Sequence, residues 1–479
     1  MAVQQQAARA TSRAGTQVRA WLDDPGPPDA PNTPVEHPVP NIAAKPFPSA
    51  IAGRAPAAGD YAPSTAKFRY WTAADALRRV GDLWGHVLGS NVKWHSTVGA
   101  RLKVTLNAGE DLNAYYDRNG LKFFHGTAGG KDFYSGESPD VVCHEFGHAI
   151  LDAIRPQLWD VMSAEPPAFH EAFGDMSAML TALQQDDLCA EVITSTSGKL
   201  DRSSRVSRLA EQLGWAIRQG HPDAVDRDCL RNAANSFFYR DPVDLPPRAP
   251  ASQLSSEPHS FSRVFSGSFL NVLAGMFALQ PKRDVDGLIQ VAQEAAQLLV
   301  DAVQQAPVVV AYFSQVAAHM LAAEQTRFGG RYQDALRSAF VRHGVLALSH
   351  AATAPRAAAA TAAKVRAATE ASLPQVAISG GQFGFDEELV VHVAAEPKRY
   401  AVAGAAADLG PSPETTYDVA AASYVEDVFR RGHVEVHKSV ESGRVPAGPS
   451  SRATHVLRRE GDVLVLVRRL FVCGHGSSL

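Results

Sequence analysis

The chain has 479 residues, of which 46 are basic (Lys or Arg) and 50 are acidic (Asp or Glu), giving a formal net charge of -4. Hydrophobic residues make up 45% and charged residues 20%, which is typical of soluble globular proteins and excludes a wholly disordered chain or a fibrous repeat. A chain of this length is expected to form about three domains. Because it contains no dense block of basic residues, we expect no nucleic-acid partner.

Targeting signals and cysteine pairs are also missing from the sequence. The first 26 residues contain no apolar segment of the kind that a secretory signal requires, which predicts a cytoplasmic protein or export by a non-Sec route. The longest uncharged stretch, residues 264–281, contains Ser, Asn and Gln and predicts a buried helix, not a membrane span. The four cysteines are far apart and form no C-x-x-C pair, so reduced thiols are expected.

The first part of the chain predicts a leader and then an α/β lobe. Residues 1–60 are rich in Pro and Ala, which predicts an extended leader. Residues 61–155 combine a helical pattern with short alternating runs, and Asn119-Gly120 between two such runs predicts the turn of a β-hairpin. This lobe is expected to end in a helix that begins after Ser138 and stops before Pro156.

Three further segments follow. Residues 156–350 carry several helical patterns and predict a mainly helical lobe. Residues 351–375 are rich in Ala and have little to bury, which predicts an interdomain spacer. Residues 376–479 alternate at period two between turn-rich segments and predict a small β-rich domain.

One motif carries most of the chemical information. His144, Glu145 and His148 form H-E-x-x-H within the helix predicted after Ser138. Positions i and i+4 share one helix face, so both imidazoles can bind the same metal ion. Glu145 can then reach a water molecule on that metal.

A third ligand is expected on the next helical segment. Glu171 and Asp175 are four residues apart and share one helix face. A catalytic zinc ion typically takes three protein ligands and one water, and a nearby carboxylate commonly orients a ligating histidine. We therefore expect Zn²⁺ bound by His144, His148 and Glu171, with Asp175 orienting a histidine.

These segments carry a family resemblance. The motif extends to HEFGHAILD, which ends at Asp152, and is followed by E-x-x-x-D at Glu171 and Asp175. In both respects the sequence resembles the thermolysin-like branch of the gluzincin zinc metallopeptidases, over roughly residues 100–350. The resemblance implies an α+β fold with a thermolysin-like two-lobe core, one lobe mixed α/β and the other mainly helical, to which the C-terminal β-rich domain is added.

The resemblance also implies further site residues. LNAYYD is similar to the edge strand on which the family binds the substrate backbone, and the matching residues are Asn113 and Ala114. PHSFSRVFSG is similar to the segment whose histidine stabilises the oxyanion, which makes His259 the candidate. Because Pro258 precedes it, His259 is expected in a loop.

The activity implied is that of a zinc-dependent metalloendopeptidase acting on peptides or proteins. Zinc activates a water molecule and polarises the peptide carbonyl, and Glu145 acts as the general base. The family's oxyanion-stabilising tyrosine is missing, since residues 149–170 contain no tyrosine.

The sequence is also compatible with functions other than an endopeptidase. One is a zinc-binding or protein-interaction scaffold that has lost turnover, and another is a zinc aminopeptidase, although the G-x-M-E-N segment of that group is not present. The leader or the C-terminal domain could also hold the cleft closed, which would make the chain a zymogen.

Overall fold

The computed structural model describes residues 17–347, 373–394, 415–440 and 453–473. These residues form a mixed α+β fold. Most of the predicted Ala-rich spacer, and the first 16 residues of the predicted leader, lie outside the described residues. None of the helices in the described ranges combines the length and apolar character that crossing a membrane requires.

The described helices are numbered in chain order. They are α1 (Ala66–Leu88), α2 (Pro139–Ile154), α3 (Glu165–Ala182), α4 (Asp186–Thr196), α5 (Glu211–Arg218), α6 (Pro258–Ala278), α7 (Val285–Gln305), α8 (Tyr312–Phe328), α9 (Gln333–Arg342) and α10 (Tyr417–Arg430). Residues 139–342 are therefore mainly helical, as the apolar periodicity predicted.

The described strands are short. They are β1 (Gln17–Ala20), β2 (Val35–Pro38), β3 (Ser49–Ile51), β4 (Leu102–Thr105), β5 (Ala114–Tyr116), β6 (Leu121–Phe123), β7 (His125–Ala128), β8 (Lys131–Tyr134), β9 (Arg208–Leu209), β10 (Arg231–Asn232), β11 (Gln375–Ser379), β12 (Glu388–His392), β13 (Val434–Val436), β14 (His455–Glu460), β15 (Val463–Arg468) and β16 (Phe471–Val472). Two five-stranded sheets form, in the orders β16-β5-β6-β4-β3 and β11-β12-β15-β14-β13.

The predicted hairpin and the predicted helix are both confirmed. Strands β5 and β6 pair antiparallel, and Tyr116 is opposite Leu121 across the Asn-Gly turn. Helix α2 begins at Pro139, and the Ser138 hydroxyl accepts a hydrogen bond from the backbone N–H of Val141 at 3.3 Å. This N-cap and the proline at the first helical position fix where the helix that carries H-E-x-x-H starts.

The described part of the leader belongs to the folded lobe. Strand β3 pairs in parallel with β4 and so forms one edge of the first sheet. The Trp21 side chain is buried, and its backbone N–H donates to the Thr72 hydroxyl of α1 at 2.7 Å. Burying an aromatic side chain of this kind contributes on the order of 2 kcal/mol, which favours a leader that stays in place.

The C-terminal region departs from the predicted β-rich domain in two ways. First, it contains helix α10, whose buried residues Ala421, Val425 and Val428 recur at helical spacing. Second, its last strand does not belong to its own sheet. Strand β16 pairs antiparallel with β5 of the first lobe, with Phe471 opposite Tyr116. The end of the chain therefore returns to the lobe that carries H-E-x-x-H.

Candidate metal centre

Helix α2 brings the three residues of the H-E-x-x-H motif to one point. One ligand atom from each of His144, Glu145 and His148 lies within 4.8 Å of the others. All three side chains are buried, with at most 3% of any of them exposed. The helical spacing of the two histidines thus produces the shared face that the sequence predicted.

Helix α3 places Glu171, the expected third ligand, beside the two histidines. Glu171 Oε2 lies 3.2 Å from His144 Nε2, and Glu171 Oε1 lies 3.7 Å from His148 Nε2. Asp175, one turn further along α3, has its Oδ1 atom 3.0 Å from His144 Nδ1. This hydrogen bond fixes the orientation of the His144 ring and leaves Nε2 directed toward Glu171.

Two glycines allow the two helices to approach so closely. A Cβ atom on Gly147 of α2 would lie 2.6 Å from the Ser177 hydroxyl and 3.0 Å from the Cα of Gly174 on α3. A Cβ atom on Gly174 would lie 2.6 Å from His144 Nδ1 and Cε1. Each glycine therefore stands where a larger residue would separate the helices or displace a ligand.

We expect Gly174→Ala to weaken metal binding by at least about tenfold, because the added methyl group displaces the His144 ring from its position against Asp175. Overpacking at this contact should also lower the free energy of unfolding by about 1–3 kcal/mol. Competition with a chromophoric chelator measures the first effect and denaturant unfolding the second. Gly220→Ala is the matched control, because a Cβ atom there meets no atom within 4 Å. Unchanged zinc affinity in Gly174→Ala would contradict this account.

The side chains fit a metal ion. His144 Nε2, His148 Nε2, Glu171 Oε2 and both carboxylate oxygens of Glu145 are buried without a hydrogen-bond partner among the described residues. Buried polar atoms normally have partners, because leaving one unsatisfied costs about 1–3 kcal/mol. Two imidazole nitrogens and a carboxylate oxygen directed toward one point are the ligand set of a catalytic zinc site. The arrangement therefore matches a site that a bound cation would satisfy.

The electrostatics of the centre are strongly perturbed. Burial raises the pKa of Glu145 to about 8, although the charge of His144 opposes this. Burial and the like charges of the neighbouring histidines hold the pKa of His148 well below its usual range. A histidine that resists protonation keeps its lone pairs for a metal, and a carboxyl with a pKa near neutrality can exchange a proton at physiological pH.

Arg231 is a residue of the centre that sequence reasoning missed. It lies on β10, is 3% exposed, and its Nη2 atom donates to Asp175 Oδ1 at 2.8 Å. Burial alone would raise the pKa of Asp175, but the Arg231 charge and the His144 hydrogen bond lower it to about 2. Arg231 therefore keeps Asp175 ionised beside His144. No motif surrounds Arg231, and 56 residues separate it from Asp175, so only the fold could reveal the pair.

His259 lies at the centre but not in a loop, so that expectation was wrong. Glu257 is the N-cap of α6 and Pro258 occupies its first turn, so His259 lies at the helix start. Its Nδ1 atom is 2.6 Å from Glu257 Oε1, and its Nε2 atom is 3.3 Å from Glu171 Oε2. Burial lowers the pKa of His259, but the two glutamates outweigh this and raise it to about 9. The two glutamates therefore hold the His259 ring beside His144 and His148.

The two predicted substrate-binding residues lie at the start of β5. Asn113 is 6% exposed, and its backbone carbonyl accepts a hydrogen bond from the Ser135 hydroxyl at 2.7 Å. The Ala114 carbonyl accepts the backbone N–H of Cys473 at 2.9 Å. Strand β5 thus offers its backbone on the side where β16 pairs.

Asp152, the last residue of the extended motif, has a structural role. Its carboxylate accepts hydrogen bonds from the Tyr116 hydroxyl at 2.8 Å and from Arg118 Nη2 at 2.7 Å. Asp152 is fully buried, and the two partners belong to β5 and to the turn after it. These contacts join α2 to the hairpin and so fix the distance between the metal centre and β5.

The end of the described chain lies against the same centre. The Phe471 ring stacks on His170 with ring centroids 4.1 Å apart and on His148 at 5.0 Å. The Val472 carbonyl contacts His259 Nε2, and Cys473 is 1% exposed. No local sequence pattern places residues 471–473 beside α2, because β16 is only two residues long.

No known protein-family model matches the chain, and no curated protein is similar to it in sequence. The function is therefore argued from the geometry and chemistry of the metal centre.

Proposed function

We propose that the chain is a zinc-dependent metalloendopeptidase with a thermolysin-like core. The observation that supports this most directly is the convergence of His144, His148 and Glu171 at one buried point beside Glu145. The ligating atoms and the Glu145 carboxylate lack hydrogen-bond partners within the described ranges, which a bound cation and a water molecule would supply.

The metal-binding part of the proposal assigns each residue a task. His144, His148 and Glu171 hold the zinc ion, and Asp175, kept ionised by Arg231, orients His144. Bound zinc acts as a Lewis acid that polarises a peptide carbonyl and makes water a better nucleophile at neutral pH.

Glu145 is suited to move a proton. Its carboxylate is fully buried, and its pKa is raised to about 8 by that burial. A general base is most effective when its pKa lies near the working pH. We assign Glu145 the role of accepting a proton from the attacking water and delivering it to the departing amine nitrogen.

His259 and β5 would position the substrate. His259 Nε2 contacts a peptide carbonyl oxygen in the structure, that of Val472, so this nitrogen can donate to the oxygen on which negative charge develops. His259 would thus supply part of the oxyanion stabilisation that a tyrosine provides in the thermolysin-like peptidases. Strand β5 would pair with an extended peptide, and its pairing with β16 demonstrates that its outer edge accepts a strand.

The sequence favours an endopeptidase over an aminopeptidase. The G-x-M-E-N segment that the zinc aminopeptidases carry before H-E-x-x-H is not present in the sequence.

Metal removal and replacement test the proposal. The zinc-loaded chain should bind about one equivalent of zinc and cleave a mixture of quenched-fluorescent peptides, with both ends blocked to exclude aminopeptidase action. Chelation should abolish cleavage, and added zinc should restore it. Failure to bind zinc, or cleavage that survives complete chelation, would contradict the proposal.

A further inference from the structure

The C-terminal strand lies on β5 as an extended peptide ligand would. Phe471 and Val472 pair antiparallel with Tyr116 and Tyr115, and the Cys473 N–H donates to the Ala114 carbonyl at 2.9 Å. Addition of a strand to an open sheet edge is a common mode of peptide recognition, in which main-chain hydrogen bonds supply much of the affinity. The strand β16 thus occupies the edge that a peptide substrate would need.

Side-chain contacts hold this strand against the metal centre. The Phe471 ring stacks on His148 and His170, and it also lies edge-on to Trp159 with centroids 5.1 Å apart. Phe471 and Val472 are 2% and 9% exposed. Burial to this degree removes the segment from solvent and closes the cleft to another chain.

The Val472–Cys473 peptide bond lies where a scissile bond would lie. Its carbonyl oxygen contacts His259 Nε2, and its N–H donates to the Ala114 carbonyl. The carbonyl therefore meets the proposed oxyanion donor while the nitrogen is held by the proposed substrate strand. The segment reproduces both backbone contacts that we assign to a substrate.

Cys473 directly follows Val472, whose carbonyl contacts His259 Nε2, and that nitrogen lies 3.3 Å from Glu171 Oε2. The Cys473 side chain is buried at this end of β16. Both carboxylate oxygens of Glu145 and the Nε2 atom of His148 are buried and have no hydrogen-bond partner in the described part of the chain. Three protein ligands leave one position on a tetrahedral zinc ion, and a cysteine thiolate is among the strongest ligands for it.

We propose that Leu470–Cys473 is an inhibitory segment of this chain, which fills the substrate cleft and places the Cys473 sulfur in the fourth position on zinc. This inference rests on the proposed function. When the zinc–sulfur bond forms, the S–H bond breaks and the proton passes to Glu145. The thiolate then occupies the position of the attacking water, which explains how a substrate-like peptide bond can remain intact at the centre.

Cobalt substitution tests the ligand directly. The Co²⁺-loaded full chain should absorb in the near ultraviolet by thiolate-to-cobalt charge transfer, and Cys473→Ser should lack this band while still binding Co²⁺. Cys189→Ser is the matched control, because Cys189 is equally buried but lies on α4, away from the centre. Its Co²⁺ spectrum should equal that of the unmodified chain.

Cleavage of blocked peptides tests the inhibition. Cys473→Ser should cleave at least about tenfold faster than the unmodified chain, since the fraction of molecules with an open cleft limits the apparent activity. Phe471→Ala, which removes the ring stacked on the histidines, should also cleave faster, and Cys189→Ser should not. Alkylation followed by peptide mapping provides a measurement without substitution. Cys473 should react with iodoacetamide more slowly in the zinc-loaded chain than after chelation, because the zinc–sulfur bond adds to the protection that burial alone provides.

The cobalt spectra and the cleavage rates together distinguish the inhibitory segment from the proposed peptidase activity. A missing charge-transfer band, together with equal cleavage by the unmodified chain and Cys473→Ser, would overturn the inhibitory segment and leave the peptidase intact. A band that disappears in Cys473→Ser, with no cleavage by any zinc-loaded variant, would support Cys473 as a ligand and overturn the peptidase. Appearance of the band with accelerated cleavage in Cys473→Ser supports both.

Discussion

Replacing Glu145 by glutamine should lower the rate of peptide cleavage by about 10³-fold, because the amide cannot accept the proton of the attacking water. Glutamine has nearly the same volume as glutamate, so His144, His148 and Glu171 should keep their positions and the zinc ion should remain bound. Steady-state cleavage of blocked peptides, together with metal analysis of the same sample, measures both quantities. Both should be measured in the Cys473→Ser chain, in which the cleft is expected to be open.

Glu165→Gln is the matched control for this substitution. Glu165 is also a buried glutamate, on α3, but its carboxylate accepts hydrogen bonds from the Tyr239 hydroxyl and the Phe313 N–H and contacts no metal ligand. A glutamine can keep both contacts, because its amide oxygen can accept from the Phe313 N–H and its amide nitrogen can donate to the Tyr239 hydroxyl, so cleavage should be retained. If Glu145→Gln cleaved as fast as Glu165→Gln, Glu145 would not be the general base. If both bound zinc and neither cleaved, the non-catalytic zinc-binding scaffold would be the better description.

The cluster formed by His144, His148, Glu171 and Asp175 could be predicted in large part because its information is local. The spacing of His144 and His148 determines that they share a face of α2, and Glu171 and Asp175 share a face of α3 for the same reason. The spacing of residues along the sequence cannot predict the distance between two helices. That distance depends on Gly147 and Gly174, whose role emerges only when the helix faces are known.

The position of His259 illustrates how a local signal can be misread. A proline before a histidine is compatible with a loop, but proline is also favoured in the first turn of a helix. Glu257, directly before Pro258, accepts the Ser260 N–H at 2.9 Å and caps α6. An acidic residue followed by proline and then by an apolar helical pattern was therefore the signal that would have placed His259 correctly.

Residues brought in from distant segments could not be predicted. Strand β16 is two residues long, and nothing in its sequence specifies β5 as its partner over one in its own domain. Cys473 is a free thiol, as the cysteine spacing predicts, and its burial at the end of β16 depends on the pairing of this strand with β5. Such long-range pairing is determined by the whole fold and has no local pattern.

The ion pair between Arg231 and Asp175 affects both the stability of the fold and the orientation of His144. The Arg231 guanidinium is the positive partner of the fully buried Asp175 carboxylate, which in turn orients His144. Removing one partner of a buried ion pair leaves an uncompensated charge. A substitution here should therefore affect both the free energy of unfolding and the affinity for zinc.

We expect Arg231→Met to lower the free energy of unfolding by about 3–5 kcal/mol and to weaken zinc binding by about 10–100-fold. Arg208→Met, on the neighbouring strand β9, is the matched control, because Arg208 is 25% exposed in its ion pair with Glu211 and its loss should cost less than that of the fully buried Arg231. Denaturant unfolding of the metal-free chains and chelator competition measure the two effects. Adding Asp175→Asn to Arg231→Met should recover part of the lost stability, since it removes the unpaired charge, but not the zinc affinity. Equal destabilisation by Arg231→Met and Arg208→Met would contradict a buried, paired charge at Asp175.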